Sequence, residues 1–337
     1  MLFLGRYNPI IKKRQNHPLI WGLLTAIVMA ASGCTGMENT LDSDTSQRTP
    51  IPASNSPSVQ ASYGAERTVR FGVLSIDSAV SVNRRYRPLL DYLQEKTGYL
   101  FELVPLSQDS QFSEVQAKKL DFITNNPLAA VQVQRLHQTD VIATTNRPKT
   151  GTQFSAIIIV RDGSDIQTVD DLKGKRAACV NFATAAAGCT FQIRHLKQQG
   201  FDPFEDFESF IENPSQDNIV LAVLNNTIDV GFIRTGQLEK MTANGLIRDT
   251  KELRIIDPQD SDFFYTHTTT LYPEWPIASL KSTNPDLIQA VQQALLEIPE
   301  DHPALEAAKF KGFVEPVDYD PIRQLIEELK LKSWDVD

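Results

Sequence analysis

The chain has 337 residues, and its 33 Lys and Arg against 42 Asp and Glu give a formal net charge of −9 at neutral pH. An acidic chain lacks the basic surface with which proteins hold nucleic acid or anionic lipid headgroups, so we expect no nucleic-acid partner. The length leaves room for an export signal, a linker and two domains of ordinary size.

The first 33 residues have the organisation of a secretory signal peptide. Four basic residues precede an apolar run over Leu19–Ala31, which is too short to span the roughly 30 Å hydrocarbon core of a bilayer. The run ends in Ala31-Ser32-Gly33-Cys34, which resembles the bacterial lipobox. We therefore expect the mature protein to begin at an acylated Cys34. The alternative is an ordinary signal peptide with a cysteine near its cleavage site.

Residues 34–68 are rich in Ser, Thr, Pro and Asn and hold few large apolar side chains. Such a segment cannot bury enough surface to fold, so it predicts a flexible tether between the lipid and a globular region. With Cys34 acylated, Cys179 and Cys189 remain as a pair in an oxidising compartment, and we favour a disulfide between them. The alternative is an inert Cys179 in the core and a free Cys189 near the ligand.

Strands and helices alternate from Val69 onward. The first set comprises strands over Val69–Ile76, Leu100–Leu106 and Asp121–Asn126 and helices over Pro88–Lys96 and Phe112–Leu120. The second set comprises strands over Phe154–Val160 and Ile228–Ile233 and helices over Thr190–Gln199 and Asn218–Leu224. Two further helices, Pro285–Leu296 and Pro321–Leu329, end the chain and have the first sheet to cover. Alternation of this kind predicts an α/β fold with crossover helices.

The two sets predict two lobes joined by two crossings of the chain. Residues 69–152 plus 255–337 would form lobe I, and residues 153–254 would form lobe II. The crossings are expected near Gly151–Ser155 and near Arg254–Thr269. Such crossings act as a hinge, and ligands of such proteins bind in the cleft between the lobes, against strand carboxyl ends and helix N-termini.

Several segments carry a resemblance to a known family. Arg87–Leu93, Leu120–Phe122, Asp171–Lys175, Gly200–Pro203 and Asp229–Gly231 resemble, in that order, the phosphate/phosphite/phosphonate substrate-binding proteins of ABC transporters. The resemblance runs from about Val69 to Leu331 and implies the two-lobed periplasmic-binding-protein type II fold, with a hinge and an interlobe ligand cleft. It also implies a bacterial cell-envelope protein that works with an ABC permease.

Two longer segments, Phe232–Glu239 and Leu271–Pro276, are more similar to the periplasmic sensor domains of tetrathionate-type histidine kinases. Because the sequence carries no kinase domain, we expect a stand-alone lipoprotein that feeds a permease or a sensor kinase. One departure concerns the ligand: phosphonate binders carry a Ser-Thr-Ser-Gly turn where this chain has Ala185-Ala186-Ala187-Gly188. The hydroxyl donors are missing, so a phosphonate is not assured as the ligand.

The candidate ligand-binding residues lie in loops expected to face the cleft. They are Tyr86, Asn125, Asn126, Thr184, Ala187, Gly188, Cys189, Gln216, Arg234, His267 and Thr268. Several of these residues have a structural alternative. The loop Asn181–Thr190 would then be a plain connection, and Asn126 would cap a helix starting at Pro127. Arg234 would pair with Glu239 or Asp229, and His267 would be a core residue.

Three arginines, Arg84, Arg85 and Arg87, precede the helix expected to start at Pro88. Cations oppose the dipole at a helix N-terminus, which a bound anion beside Tyr86 would offset. The alternative is that Arg84 and Arg85 are solvated and that Arg87 pairs with Asp91 at i+4.

An enzymatic function is not expected. Cys189 and His195 lie six residues apart on one predicted helix, which places them on nearly opposite faces, so they cannot act as a dyad. We expect no metal, no cofactor and a monomer. The predicted function is capture of a small oxyanion for an ABC importer; the alternatives are a ligand-binding partner of a sensor histidine kinase and a scaffold lipoprotein with a vestigial cleft.

Overall fold

The computed structural model describes residues 68–76 and 78–330. The predicted signal peptide, Cys34 and the tether up to residue 67 lie outside the described residues. The strands are β1 (Val69–Leu74), β2 (Phe101–Leu106), β3 (Phe122–Thr124), β4 (Asp140–Asn146), β5 (Gln153–Phe154), β6 (Ala156–Arg161), β7 (Arg176–Cys179), β8 (Ser209–Glu212), β9 (Val230–Arg234), β10 (Leu253–Ile256), β11 (Tyr272–Pro273), β12 (Pro276–Ser279) and β13 (Gly312–Val314). The helices are α1 (Ala79–Thr97), α2 (Ser110–Gln116), α3 (Pro127–His137), α4 (Phe191–Gln198), α5 (Pro203–Asp206), α6 (Gln216–Leu224), α7 (Gln237–Ala243), α8 (Pro285–Leu296), α9 (Pro303–Ala308) and α10 (Asp320–Leu329).

Two β-sheets define two lobes. The six-stranded sheet has the order β13-β4-β12-β3-β1-β2, with β1 parallel to β2 and β3 and with β12 antiparallel to β3 and β4. The five-stranded sheet has the order β10-β6-β9-β7-β8, with β7 parallel to β8 and β9 and with β6 antiparallel to β9 and β10. Helices cover both sheets, so the predicted α/β class is confirmed.

The two lobes are joined by a short ribbon in which β5 pairs antiparallel with β11. β10 belongs to the second sheet as far as Ile256, so the predicted lobe boundary at residue 254 falls inside this strand. The backbone N–H groups of Thr268 and Thr269 donate to the carbonyl of Ala156 at 2.9 and 3.3 Å. The chain therefore stays with the second lobe through Thr269, and the second crossing follows that residue.

Helix α1 begins nine residues before the predicted start at Pro88. The hydroxyl of Ser78 accepts the N–H of Ser81 and caps the helix, and Pro88 lies inside it. Proline in a helix interior removes one backbone hydrogen bond, so a proline in the sequence predicts a helix start rather than a helix interior. Arg84, Arg85 and Arg87 therefore lie in mid-helix, and the argument that they oppose the dipole at a helix N-terminus is wrong.

The last helix, α10, differs from the prediction in its neighbours. Its apolar face of Ile322, Leu325, Ile326 and Leu329 is buried in the same core cluster as the second sheet. It contacts α3 and α4, and Glu328 pairs with Arg194 of α4 at 2.5 Å. Helix α8, by contrast, covers the first sheet through its contacts with β4 and β13, as expected. In residues 68–76 and 78–330 no helix has the length and apolar character needed to cross a bilayer.

Candidate functional site

A cavity of about 580 Å³ lies between the two lobes. The first lobe contributes the carboxyl ends of β1 and β2 and the start of α3, and the second contributes the loop after β7, the start of α6 and the end of β9. The lining residues are Ser75, Ile76, Ser107, Gln108, Asp109, Asn126, Phe154, Val180, Asn181, Ala185, Ala186, Ala187, Gly188, Glu212, Pro214, Gln216, Arg234 and Trp275. Its size and its place at strand carboxyl ends are typical of small-molecule sites.

The loop from Asn181 to Gly188 forms one wall of the cavity. Oδ1 of Asn181 accepts the backbone N–H groups of Ala183 and Thr184 at 3.1 and 2.9 Å, so the loop folds around its own first side chain. A π-helical turn starts at Ala186, and N–H groups at a helix start have no acceptor within the helix. Because the side chains here are small, an anion can approach these groups, although without the hydroxyls of phosphonate binders.

The base of this loop is closed by a disulfide. Cys179, the last residue of β7, is bonded to Cys189 with a Cα–Cα distance of 5.0 Å, and both residues are fully buried. Behind the loop, Nε2 of Gln192 donates to the carbonyls of Ala187 at 2.9 Å and of Ile233 at 3.0 Å. The disulfide thus holds the loop to β7, and the side-chain amide of Gln192 holds it to β9.

Hydrogen bonds join the first lobe to this loop. Nδ2 of Asn126 donates to the carbonyl of Thr184 at 2.9 Å, and Nε2 of Gln132 donates to the carbonyl of Ala183 at 3.1 Å. Oγ1 of Thr184 donates to Oε1 of Gln108 at 2.9 Å. The two lobes therefore meet beside the cavity, and opening the cleft there would break these contacts.

Arg234, the last residue of β9, lies where the cavity meets the crossing. Its guanidinium lies 3.5 Å from Oε1 of Glu274 and 5.5 Å from the ring centroid of Phe154. Oε1 of the buried Glu274 already accepts Nε–H of Arg147 at 2.7 Å, and Oε2 accepts the N–H of Trp275 at 3.1 Å. Arg234 is therefore the more loosely held of the two arginines, and it faces the cavity.

The surroundings of Arg234 are rich in positive charge. Burial lowers the pKa of Arg234 to about 10; Arg147 and Arg85 lower it as well, whereas Glu274 opposes them. Burial also acts to lower the pKa of Arg147, but its contact with Glu274 outweighs this and raises it. Arg234 remains charged at neutral pH. Neither of its expected partners is used, since Asp229 pairs instead with Nε of Arg176 at 2.9 Å.

Five of the predicted residues line the cavity: Asn126, Ala187, Gly188, Gln216 and Arg234. Asn126 also caps α3, since its Oδ1 accepts a backbone N–H of the first turn at 3.1 Å. Oε1 of Gln216 accepts the N–H of Arg234 at 2.8 Å, which leaves its amide donors for the cavity. Thr184 supports the wall, because its hydroxyl lies within hydrogen-bond distance of two lining side chains, those of Gln108 and Asn181.

Tyr86 and Asn125 lie outside the cavity. Tyr86 is buried in the core of the first lobe, where its ring meets that of Phe310 edge-on at 5.9 Å. This follows from the longer α1, which turns Tyr86 inward. Nδ2 of Asn125 donates to Oε1 of Gln111 at 2.9 Å inside the same lobe. Arg87 pairs with Asp91, as the alternative reading expected.

The remaining candidates also lie outside the cavity. Cys189 is buried beneath the loop in its disulfide. The ring nitrogens of the buried His267 are hydrogen-bonded to Ser261 at 2.6 Å and to the carbonyl of Thr269 at 2.7 Å. The hydroxyl of Thr268 donates to the carbonyl of Ile256 at 2.7 Å. His267 therefore ties the segment after β10 to itself, whereas the hydroxyl of Thr268 fixes that segment to the end of β10.

Sequence reasoning missed several lining residues. Ser75 and Gln108 follow β1 and β2, and the rule that ligands lie at strand carboxyl ends would have pointed to them. Phe154 and Trp275 lie on the two crossings, where no local pattern marks a cavity. In the described part of the chain, no three His, Cys, Asp or Glu side chains are grouped so that they could hold a metal ion.

A sensor histidine kinase is among the known proteins that are similar to this chain in sequence. The tetrathionate sensor histidine kinase TtrS of Salmonella typhimurium is 25% identical over 237 residues, which are 69% of this chain and 40% of the kinase. The chain thus matches less than half of that relative's length.

Solved structures give the same fold at lower identity. A binding protein component of an ABC phosphonate transporter from Pseudomonas aeruginosa superposes with a TM-score of 0.66 at 17% identity, covering 80% of this chain and 88% of that one. PhnD1 from Prochlorococcus marinus, in complex with methylphosphonate, gives 0.65 at 15% identity, covering 78% and 98%. XAC2383 from Xanthomonas citri, bound to ATP, gives 0.61 at 21% identity, covering 77% and 94%.

These likenesses confirm the two-lobed periplasmic-binding-protein type II fold expected from the sequence. A family model described as "ABC transporter, phosphonate, periplasmic substrate-binding protein" matches residues 71–320, which include both sheets. That family binds solutes outside the cytoplasm for transport, in agreement with a cavity at the meeting of two lobes. The chain belongs to the family of periplasmic substrate-binding proteins of phosphonate ABC transporters.

Proposed function

We propose that the protein captures a small oxyanion, either phosphate- or phosphonate-like or a sulfur oxyanion, and delivers it to an ABC importer. The observation that supports this most is the cavity between the lobes, which the cationic Arg234 and the start of a helix both line. A guanidinium and free backbone N–H groups are the donors that proteins use for oxyanions. A neutral solute could accept these hydrogen bonds but would leave the positive charge of Arg234 uncompensated.

Capture without chemistry is part of the proposal. The ligand is released unchanged, and the protein needs no cofactor and works as a monomer. Binding draws the lobes together, because lining residues come from both and one lobe alone offers only part of the donors. Cys189, the residue best placed in the sequence to act as a nucleophile, is held in a disulfide, which supports a binding role.

We further propose that an acylated Cys34 anchors the protein to a bacterial membrane, with residues 34–68 as a spacer. The support is the small-residue motif before Cys34 and the polar composition after it. Detergent partitioning tests this: the wild-type protein should enter the detergent phase and Cys34→Ala should not. If the Cys34→Ala protein stays in the membrane fraction unchanged, the anchor is not this cysteine.

A second function is supported by the likeness to a sensor kinase. The chain matches TtrS over 237 residues, and the second proposal is that the ligand-loaded protein acts on a kinase of that kind rather than on a permease. The two functions differ in their readout in cells that lack the gene. Loss of ligand uptake supports the importer, and intact uptake with loss of a ligand-dependent transcriptional response supports the kinase.

A thermal-shift screen tests the proposed capture. The probes are phosphate, phosphite, methylphosphonate, sulfate, thiosulfate and tetrathionate, each against sodium chloride at equal ionic strength. A ligand present at 100 times its dissociation constant adds about 2.7 kcal/mol to the free energy of unfolding, which is a clear rise in melting temperature. If none of the oxyanions exceeds the chloride control, the proposed function is wrong.

A further inference from the structure

Arg147 and Arg234 both pair with the buried carboxylate of Glu274 at the crossing end of the cavity, and Arg85 lies near enough to act on Arg234. Arg85 comes from α1 in the first lobe, Arg147 and Glu274 from the two crossings, and Arg234 from β9 in the second lobe. We call Arg85, Arg147 and Arg234 the arginine cluster. Its members are close enough for Arg85 and Arg147 to affect the ionisation of Arg234, and Glu274 is the carboxylate among them.

The donors of the arginine cluster are not all used by protein acceptors. Nε of Arg85 is buried and, among the described residues, has no hydrogen-bond partner, although its Nη2 donates to the carbonyl of Ala308 at 3.0 Å. The 3.5 Å between Arg234 and Glu274 exceeds the roughly 2.7–2.9 Å of a charge-assisted hydrogen bond. Arg147 and Arg234 thus share one carboxylate, and Arg234, which lines the cavity, is the less bonded of the two.

The cavity is large for a single oxyanion. Its volume of about 580 Å³ compares with the ~30 Å³ that one water molecule occupies in the liquid. A tetrahedral oxyanion at the turn around Ala186–Gly188 would therefore leave most of the space unfilled. The acidic lining residues, Asp109 and Glu212, are both solvent-exposed and disfavour an anionic group beside them. Among the described residues that line the cavity, Arg234 is the one cationic side chain, so a second anionic group is best placed against it.

We propose that the arginine cluster is a second anion subsite, so that the ligand is an elongated dianion with one anionic end at the Asn181–Gly188 loop and the other on Arg234. This inference rests on the proposed function, because it assigns the charge and shape of the oxyanion held in the same cavity. Because Arg234 pairs with Glu274 of the second crossing, an anion on Arg234 also acts on the hinge.

Calorimetric titration of the mature protein with ethane-1,2-disulfonate and ethanesulfonate, at equal ionic strength, tests the subsite. These probes share one sulfonate and differ in the second. We expect the disulfonate to bind at least tenfold more tightly. Arg234→Gln should weaken disulfonate binding about tenfold or more, and ethanesulfonate binding less than threefold. Arg248→Gln, on an exposed surface of the second lobe, is the matched control and should change neither.

Arg234→Lys keeps the charge and replaces the glutamine variant if that variant does not fold. Its preference for the disulfonate over ethanesulfonate should be smaller than that of the wild-type protein, because lysine lacks the planar, paired donors of the guanidinium. Equal binding of the two sulfonates by the wild-type protein, or equal loss of both on substitution, would overturn the subsite while leaving oxyanion capture in place. If neither sulfonate nor any oxyanion of the thermal-shift screen binds, the proposed function falls and the subsite falls with it.

Discussion

The disulfide between Cys179 and Cys189 should contribute strongly to stability, because it closes the loop that walls the cavity. The bonded residues are separated by 10 positions, and the loop-entropy relation gives about 2.7 kcal/mol for a loop of that length. Reduction should lower the free energy of unfolding by about this amount. The Cys179→Ala/Cys189→Ala double variant should lose somewhat more, because both sulfur atoms are buried and their removal also leaves a void.

Urea unfolding of the wild-type protein with and without reductant, and of the double variant, measures both effects. Ligand affinity should fall as well, since a released loop must be ordered on binding. A difference below about 0.5 kcal/mol between oxidised and reduced protein would refute the entropic reasoning. Alkylation of both cysteines in the unreduced, denatured protein would refute the bond itself.

Three further substitutions follow from contacts in the structure. Glu274→Gln leaves the half-buried Arg147 and Arg234 without their carboxylate and should lower the free energy of unfolding by about 3 kcal/mol. A bound dianion should partly reverse this loss, and an unchanged urea midpoint would contradict the prediction. Gly188→Ala places a Cβ 2.8 Å from a methyl of Val180 and should weaken ligand binding. In the control Gly312→Ala the added Cβ meets no atom within 4 Å, so ligand affinity should not change. Equal affinities of the two variants would show that the turn at Gly188 is not at the ligand. The hydrogen bond from Arg176 holds the pKa of Asp229 below its ordinary value. The ionised Asp229 therefore stabilises the folded protein above about pH 4, and this contribution is lost as the pH falls through the lowered pKa of the folded state. Asp229→Asn should therefore flatten the acid limb of the stability profile, and identical acid limbs would exclude this contribution.

Much of the fold could be predicted from the sequence because local signals agreed with it. The apolar spacing and the proline at the first turn predicted the helix Pro285–Leu296 with the bounds it has, and Asn126 caps α3 as its position before Pro127 indicated. The start of α1 could not be predicted, because Pro88 has the appearance of a first-turn residue and only packing shows that the helix continues through it.

The candidate site was predicted only in part, since half of it depends on tertiary contacts. The loop ending at Gly188 and the strand ending at Arg234 are local features, and both line the cavity. Arg147, Arg234 and Glu274 lie far apart in the chain and meet only because the lobes and crossings converge. No spacing in the sequence could have indicated that cluster.

The central claim is that an anionic ligand binds between the lobes. A crystal structure of the mature protein with the tightest-binding anion of the thermal-shift screen tests it most directly. We predict ligand density in the cavity, within hydrogen-bond distance of backbone N–H groups around Ala187 and of the guanidinium of Arg234. Density at another surface, with the cavity filled by water alone, would contradict the account.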